Sequence, residues 1–430
     1  MLAAFDNEVG EDFGAMADKI REVESRIAIK SHASRLLHRG DWYADTMYLL
    51  TQLPPDVLRA FTRNEVPQRA MRELRTAIRQ VGDNGAERDP VIYANFCADK
   101  DGKGVPIDRF DELLTAIERV TGNAEKGVAS LEGSQEDWER KVNTAYTTRG
   151  AQRTLAGNIL FFDSLKSGAK NDDERQHARR ELAKRARLFV DVNRAVMLPR
   201  ARRAGVSHVA LQGEVGLAVN GDQRLLSHVK VGSDSPALFR LVQLLLQIMF
   251  PSGIFRLHQV KVFTLTKASQ AEIGETVASL LCGSYTEVGG MNAEQPGFSQ
   301  SGITELHRAH WDAVTNTVSE KGFLRFQKGN LEAYSRRLRE RTAAEKEQLL
   351  QHRRVAKFQE NKAKLAEEQR KTAYAADSVQ SQIEDVNEQL DTLGSAFADR
   401  QQVDAEHQAS LEAMQELWAA IKPHQQDEGS

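Results

Sequence analysis

The chain has 430 residues, 40% of them apolar and 28% charged, with a formal net charge of −3 at neutral pH. This is enough chain for two or three globular units and too little hydrophobicity for a membrane protein. The most apolar window, Ala237 to Phe250, is interrupted by Arg240, Gln243 and Gln247, short of the roughly 18 to 20 apolar residues that crossing a bilayer requires.

Acids at Asp6 and Glu8 stand where a secretory leader would carry positive charge, and Cys97 and Cys282 cannot staple a chain of this size. The expectation is an intracellular, reducing location, without a disulfide scaffold.

Residues from about 10 to 200 read as successive helices. Met16, Ile20, Val23 and Ile27 share one helical face, and Leu36 and Leu37 extend the apolar character. Pro54-Pro55-Asp56 opens a helix whose buried side is Val57, Leu58 and Phe61. Met71, Leu74 and Ile78 repeat the spacing before Gly82-Asp83-Asn84-Gly85. Ile107, Phe110, Leu114 and Ile117 stripe a further helix that ends near Gly122, and Ser134 with Asp137 reads as a capping box for the next.

Near Pro199 the texture changes. Val215, Leu217 and Val219 alternate up to Asn220-Gly221, after which Leu225, Leu226, Val229 and Val231 resume, which predicts a hairpin. Ala237 to Phe250 reads as a largely buried helix with one narrow polar stripe, ended by Pro251-Ser252-Gly253. Residues 254 to 265 read as a strand apolar on parts of both faces, the glycines from 289 to 297 as a loop, and Ile303 to Val318 as a helix.

In the last hundred residues Val379, Ile383, Val386, Leu390, Leu393 and Phe397 form a heptad seam that continues to Leu411, Met414, Trp418 and Ile421. Carried backwards, the frame takes in Leu365, Phe358 and Val355, which favours one long helix over a hairpin turning near Gly394 to Asp404. Three polar residues, Arg400, Asp404 and His407, interrupt the seam, and the helix is expected to open there. The fold class expected is therefore mostly α, in three parts: a helical domain over 1–200, a small α+β unit over 201–322, and a C-terminal coiled-coil helix or helical hairpin over 323–430.

The densest charge feature runs from Arg175 to Arg203, with ten basic residues against two acids. Arg180, Lys184, Arg187 and Arg194 fall on one helical face, with Arg200, Arg202 and Arg203 following. Such a row suits a polyanion, because guanidinium groups gain affinity by releasing counterions from phosphates. Sparse aromatic interleaving argues against base-specific reading. A solvated face, or one neutralised by acids elsewhere in the chain, is the plainer interpretation.

Asp99-Lys100-Asp101-Gly102-Lys103-Gly104 resembles the start of a calcium loop, but Lys103 and Phe110 occupy positions where oxygen ligands are needed and Pro106 stiffens the wrong place, so an ordinary turn is favoured. His307 and His310 lack a third metal ligand at motif spacing, and Cys282 lacks an identifiable base. Phosphate-cradle, dinucleotide, nucleophile-elbow and metalloprotease motifs are absent. The expectation is a structural or assembly protein without catalytic residues, cofactor or metal, which oligomerises or docks to a partner through its C-terminal seam. The partner would be itself or another helical protein, with no membrane insertion. The alternative is a protein that coats or packages RNA or DNA through the 175–203 helix.

Overall fold

The computed structural model describes residues 13–26, 41–72, 90–122, 132–148, 153–154, 157–158, 161–166, 171–221, 223–225, 236–251, 253–292, 303, 306–320, 323–371 and 377–421. It divides into two compact units, one made of Met1–Gln327 with Ile421–Ser430 and the other of Lys328–Ala420. The structure is mostly helical, with a small three-stranded sheet in the first unit. Among the described residues no helix is long and apolar enough to cross a membrane.

The first unit opens with α1 (Phe13–Arg26), α2 (Asp41–Leu50), α3 (Pro55–Thr62) and α4 (Val66–Arg72), followed by β1 (Val91–Asp99) and the short β2 (Val105–Pro106). Then come α5 (Ile107–Thr121), α6 (Gln135–Thr148), the two-residue strands β3 (Arg153–Thr154) and β4 (Gly157–Asn158), and α7 (Asp172–Val192). A π-helical turn over Asn193–Met197 joins α7 to α8 (Leu198–Arg203). The chain continues through β5 (His208–Val209), β6 (Glu214–Ala218), α9 (Ala237–Met249), β7 (Phe255–Thr264), α10 (Gln270–Cys282) and α11 (Arg308–Glu320).

Several of these elements follow directly from the sequence. Met16, Ile20 and Val23 are buried on α1, and Val57, Leu58 and Phe61 on α3. Ile27, Leu36, Leu37, Leu74 and Ile78 lie outside the described residues. On α5 the stripe from Phe110 to Ile117 is buried, and Gly122 closes the helix at φ +72°, a left-handed conformation that costs glycine little. At the start of α6 the capping box is reciprocal: the Asp137 amide donates to Ser134 Oγ at 3.2 Å and the Ser134 amide to Asp137 Oδ2 at 3.0 Å.

One core gathers α5, α6, α7 and α9 around Phe110, Leu114, Trp138, Tyr146, Phe189 and Leu241. Two members of the polar stripe of α9, Arg240 and Gln243, are themselves buried, and Gln247 is half-buried. Arg240 is 2% exposed, donates from Nη1 to Ser164 Oγ at 3.2 Å and stacks over Phe161.

The first two hundred residues are not all helical. β1 is the central strand of the sheet, in the order β6-β1-β7, and pairs antiparallel with both neighbours. Val91 to Ala98 is buried throughout because both faces of the central strand are covered, so its residues lack the alternation that marks a half-buried strand. The boundary expected near residue 200 therefore does not divide the fold, since a strand from the supposed helical domain lies between two strands of the supposed α+β unit.

Nor does Asn220-Gly221 turn a hairpin. β6 takes β1 as its partner, and Asn220 caps a helical turn: its Oδ1 accepts from the Gln223 amide at 3.0 Å and its carbonyl from the Arg224 amide at 3.1 Å. The side-chain oxygen that favours αL turns also makes Asn a strong N-cap, and here the cap wins. Residues 226–235 lie outside the described set.

Both edges of the sheet are closed by amide side chains. Asn292 accepts from the Val215 amide at 2.8 Å and donates to the Val215 carbonyl at 3.0 Å, imitating a further strand beside β6. Gln52 does the same for Thr264 on β7, with both bonds at 2.9 Å. An edge paired in this way offers no template to another chain at that point.

The second unit consists of α12 (Phe323–Lys371), from Lys328 onward, and α13 (Asp377–Ile421), up to Ala420. The long helix expected to run unbroken from Val355 is thus two helices. The Tyr334 hydroxyl lies 3.3 Å from His407 Nδ1, and Glu345 Oε1 lies 3.7 Å from Arg400 Nε. Because the earlier residue of α12 meets the later residue of α13, the helices run antiparallel and the chain reverses direction from one to the other. The reversal is not near Gly394, where α13 continues as helix.

Candidate interaction surfaces

On the first unit the basic row lies along α7, the π-turn and α8. Leu182, Ala186, Phe189 and Val190 bury one side of α7 against the core, and the opposite side carries exposed Arg180, Lys184 and Arg187. Arg200, Arg202 and Arg203 are exposed on the last turn of α8, where cations also complement the helix dipole. Arg187 approaches Asp191 to 3.8 Å. Arg180, Lys184, Arg200, Arg202 and Arg203 enter no ion pair among the described residues, so the fold leaves their charge to solvent or to a ligand. Leu188, Val196 and Val206 are exposed beside them, at 37%, 53% and 44%.

Arg194 does not belong to this row. Its guanidinium is forked into α5: Nε donates to Asp111 Oδ1 at 2.9 Å, Nη1 to Glu118 Oε2 at 2.7 Å and Nη2 to Thr115 Oγ1 at 2.8 Å. Four residues after buried Val190, Arg194 lies on the border of the buried face, where its long side chain reaches α5. Asn193 is buried in the π-turn and donates to the carbonyls of Phe189 and Gly289 at 2.8 and 3.1 Å.

On the second unit the seam positions of α13 divide by depth. His407, Leu411 and Met414 are buried, Val386, Leu390, Phe397, Arg400 and Asp404 are half-buried, and Leu393 is 43% exposed. The side chains of Val379, Ile383, Trp418 and Ile421 lie outside the described set. The facing side of α12 is made by buried Tyr334 and Leu338 and half-buried Glu345, Leu349, Ala356 and Ala363.

The polar interruption of the seam does not open. Arg400 sits between Glu345 of α12 and Asp404 of its own helix, each at 3.7 Å, and His407 meets Tyr334. α12 supplies a carboxylate and a hydroxyl at the level of these groups. Sequence spacing within α13 cannot reveal such partners.

The backward extension of the frame onto α12 is also corrected. Val355, Phe358 and Leu365 are 54%, 69% and 58% exposed, and Leu350 is 46% exposed. Once the chain reverses, the helix that faces α13 must choose a new seam, and it chooses the Leu349, Ala356, Ala363 set. By roughly 100° of rotation per residue, the Val355, Phe358 and Leu365 stripe lies more than about 100° round the helix from that set.

The remaining sequence candidates resolve as structural features. Asp99 Oδ1 accepts from the Asp101 and Lys103 amides at 2.8 and 2.7 Å, tying the supposed calcium loop into a turn. Among the described residues no group of three His, Cys, Asp or Glu gathers as metal ligands. Cys282 is 1% exposed and burial pushes its thiol well above the ordinary range, which suppresses the thiolate a nucleophile needs.

Sequence reasoning missed a polar row across the middle of the sheet. Asn95 Nδ2 donates to Glu214 Oε2 at 2.7 Å, and Gln259 Nε2 donates to Asn95 Oδ1 at 3.1 Å, one residue from each strand at a shared register. On the same face of β1, the Tyr93 hydroxyl accepts from Arg224 Nε at 3.2 Å and occupies the space left by Gly216. Burial raises the Glu214 carboxyl to about 7, against the lowering effects of Asn95 and Arg224. The row is closed by its own hydrogen bonds and serves to register the strands.

Comparison with protein-family models, with curated proteins and with solved structures finds no match to this chain.

Proposed function

We propose that this chain is a non-enzymatic structural or assembly protein whose helical hairpin is the arm by which it associates. The observation that carries the reading is the apolar stripe Val355, Phe358 and Leu365 on α12, more than half exposed and turned away from α13. Residues this apolar, repeated at heptad spacing, are commonly held for a partner surface. The seam once expected to recruit a partner is occupied by the chain's own α12, so the docking face moves to the other side of that helix. Coiled-coil packing of α12 on α13 is part of this reading. Removing residues 328–420 should lower the mass of the assembled protein in light scattering. A truncated chain with unchanged stoichiometry refutes it.

A second reading rests on the unpaired cations of α7 and α8, which would hold RNA or DNA by its phosphates with little sequence preference. Replacing Arg180, Lys184, Arg200 and Arg203 by glutamine should then flatten the salt dependence of filter binding. Arg194 is excluded from this set because it belongs to the fold. No retention of RNA or DNA at low salt removes the reading.

A further inference from the structure

We infer that the outward face of α12 docks against the outward face of α13 in a second copy of this chain, joining hairpins side by side in one direction. The inference rests on the assembly reading above and names its partner. It starts from the charge of the two helices. α12 carries fourteen Lys and Arg against seven Asp and Glu, whereas α13 carries ten Asp and Glu against one Arg. The one base of α13, Arg400, is turned toward Glu345. The outer surface of α13 therefore offers acids, among them exposed Glu388 and Asp391, which close no ion pair among the described residues.

The apolar stripe of α12 is bordered by exposed Arg354, Lys357 and Lys362, and none of the three closes an ion pair among the described residues. Two α12 stripes laid together would set these cations against one another. Against α13 they meet carboxylates, and Phe358 is covered as they do so.

The levels also agree. The contacts of Tyr334 with His407 and of Glu345 with Arg400 fix the direction of the hairpin, and from the Glu345 and Arg400 level onward the equal rise per residue of the two helices carries the alignment. Continued toward the turn, this brings residues 354–362 level with roughly 383–391 of α13. A second hairpin placed alongside without axial shift thus sets Glu388 and Asp391 beside Arg354 and Lys357, with Lys362 about 7 Å further toward the turn. The two surfaces lie on different helices, so the contact is heterologous, and each added copy presents the same free face again.

The test uses the full chain in sedimentation velocity over a range of concentrations at low salt. The parent should gain mass steadily with concentration. A first variant, Arg354→Glu with Lys357→Glu and Lys362→Glu, and a second, Glu388→Lys with Asp391→Lys, should each weaken self-association by about tenfold or more. An equal mixture of the two should regain it, because each then meets a complementary face. Phe358→Ser should weaken association with unchanged helix content by circular dichroism. A parent that stays monomeric, a reversed variant that associates like the parent, or a mixture that does not recover overturns the inference. If removing 328–420 abolishes association while both reversed variants associate normally, the assembly reading stands and this interface fails. If the removal changes nothing, both fail.

Discussion

Replacing Glu214 with glutamine should stabilise the first unit above neutral pH and leave it nearly unchanged in mild acid. Glu214 is 2% exposed in the sheet, where burial raises its carboxyl from 4.5 to about 7. A raised acid holds its proton more tightly folded than unfolded. The stability it contributes is present below about 4.5 and is lost as pH rises through about 7. The difference in the two values corresponds to about 3 kcal/mol at full ionisation. Glutamine keeps an oxygen to accept from Asn95 Nδ2 and carries no charge, so that loss disappears. Chemical denaturation of parent and Glu214→Gln at pH 5 and pH 8 measures the effect, and the difference between the two proteins cancels the titration of every other group. The expected result is a variant more stable at pH 8 by about 2 to 3 kcal/mol, with near equality at pH 5. Equal stability at both pH values, or a destabilised variant at pH 8, refutes the buried, protonated carboxyl.

Other consequences can be checked in parallel. Arg194→Met leaves Glu118 and Asp111 without their cation and should cost about 2 kcal/mol in urea unfolding, whereas Lys184→Gln on the outer face of α7 should change stability by less than about 0.5 kcal/mol. Asn292→Ala removes both bonds to Val215 and leaves a buried amide and carbonyl unmet, a loss of about 2 kcal/mol that should also raise hydrogen exchange along β6. His407→Ala opens space beside buried Tyr334 and removes the imidazole that its hydroxyl meets at 3.3 Å. The melting of the hairpin should fall, by about 1 to 3 kcal/mol, with the rest of the chain unaffected. An unchanged melt would restore the picture of a seam that is open at this level.

The parts of this fold that were legible in the sequence are those whose signal is local. The α5 stripe with Gly122, the proline start of α3 and the Ser134 to Asp137 box each state their structure within a few residues. β1 was hidden for the opposite reason. A strand covered on both faces reads as a continuous apolar run, and nothing within Val91 to Ala98 says that its neighbours lie more than a hundred residues away in β6 and β7.

Asn220-Gly221 carries both turn and cap chemistry, and tertiary pairing decided between them. Arg194 was misplaced because a helical wheel does not show the partners on a neighbouring helix, and Asp111, Thr115 and Glu118 of α5 draw it inward. In the second unit, spacing within α13 could not tell that the groups meeting Arg400 and His407 lie on the preceding helix. For that reason Val355, Phe358 and Leu365 were first assigned to a buried seam, and the exposed stripe that now carries the proposed function was invisible until the chain was seen to reverse.

The most direct measurement of the assembly claim is the mass of the full chain as a function of concentration, with and without residues 328–420. The account predicts that mass rises with concentration in the full chain and that the truncated chain stays at one mass across the same range. A full chain and a truncated chain with the same concentration dependence would contradict it.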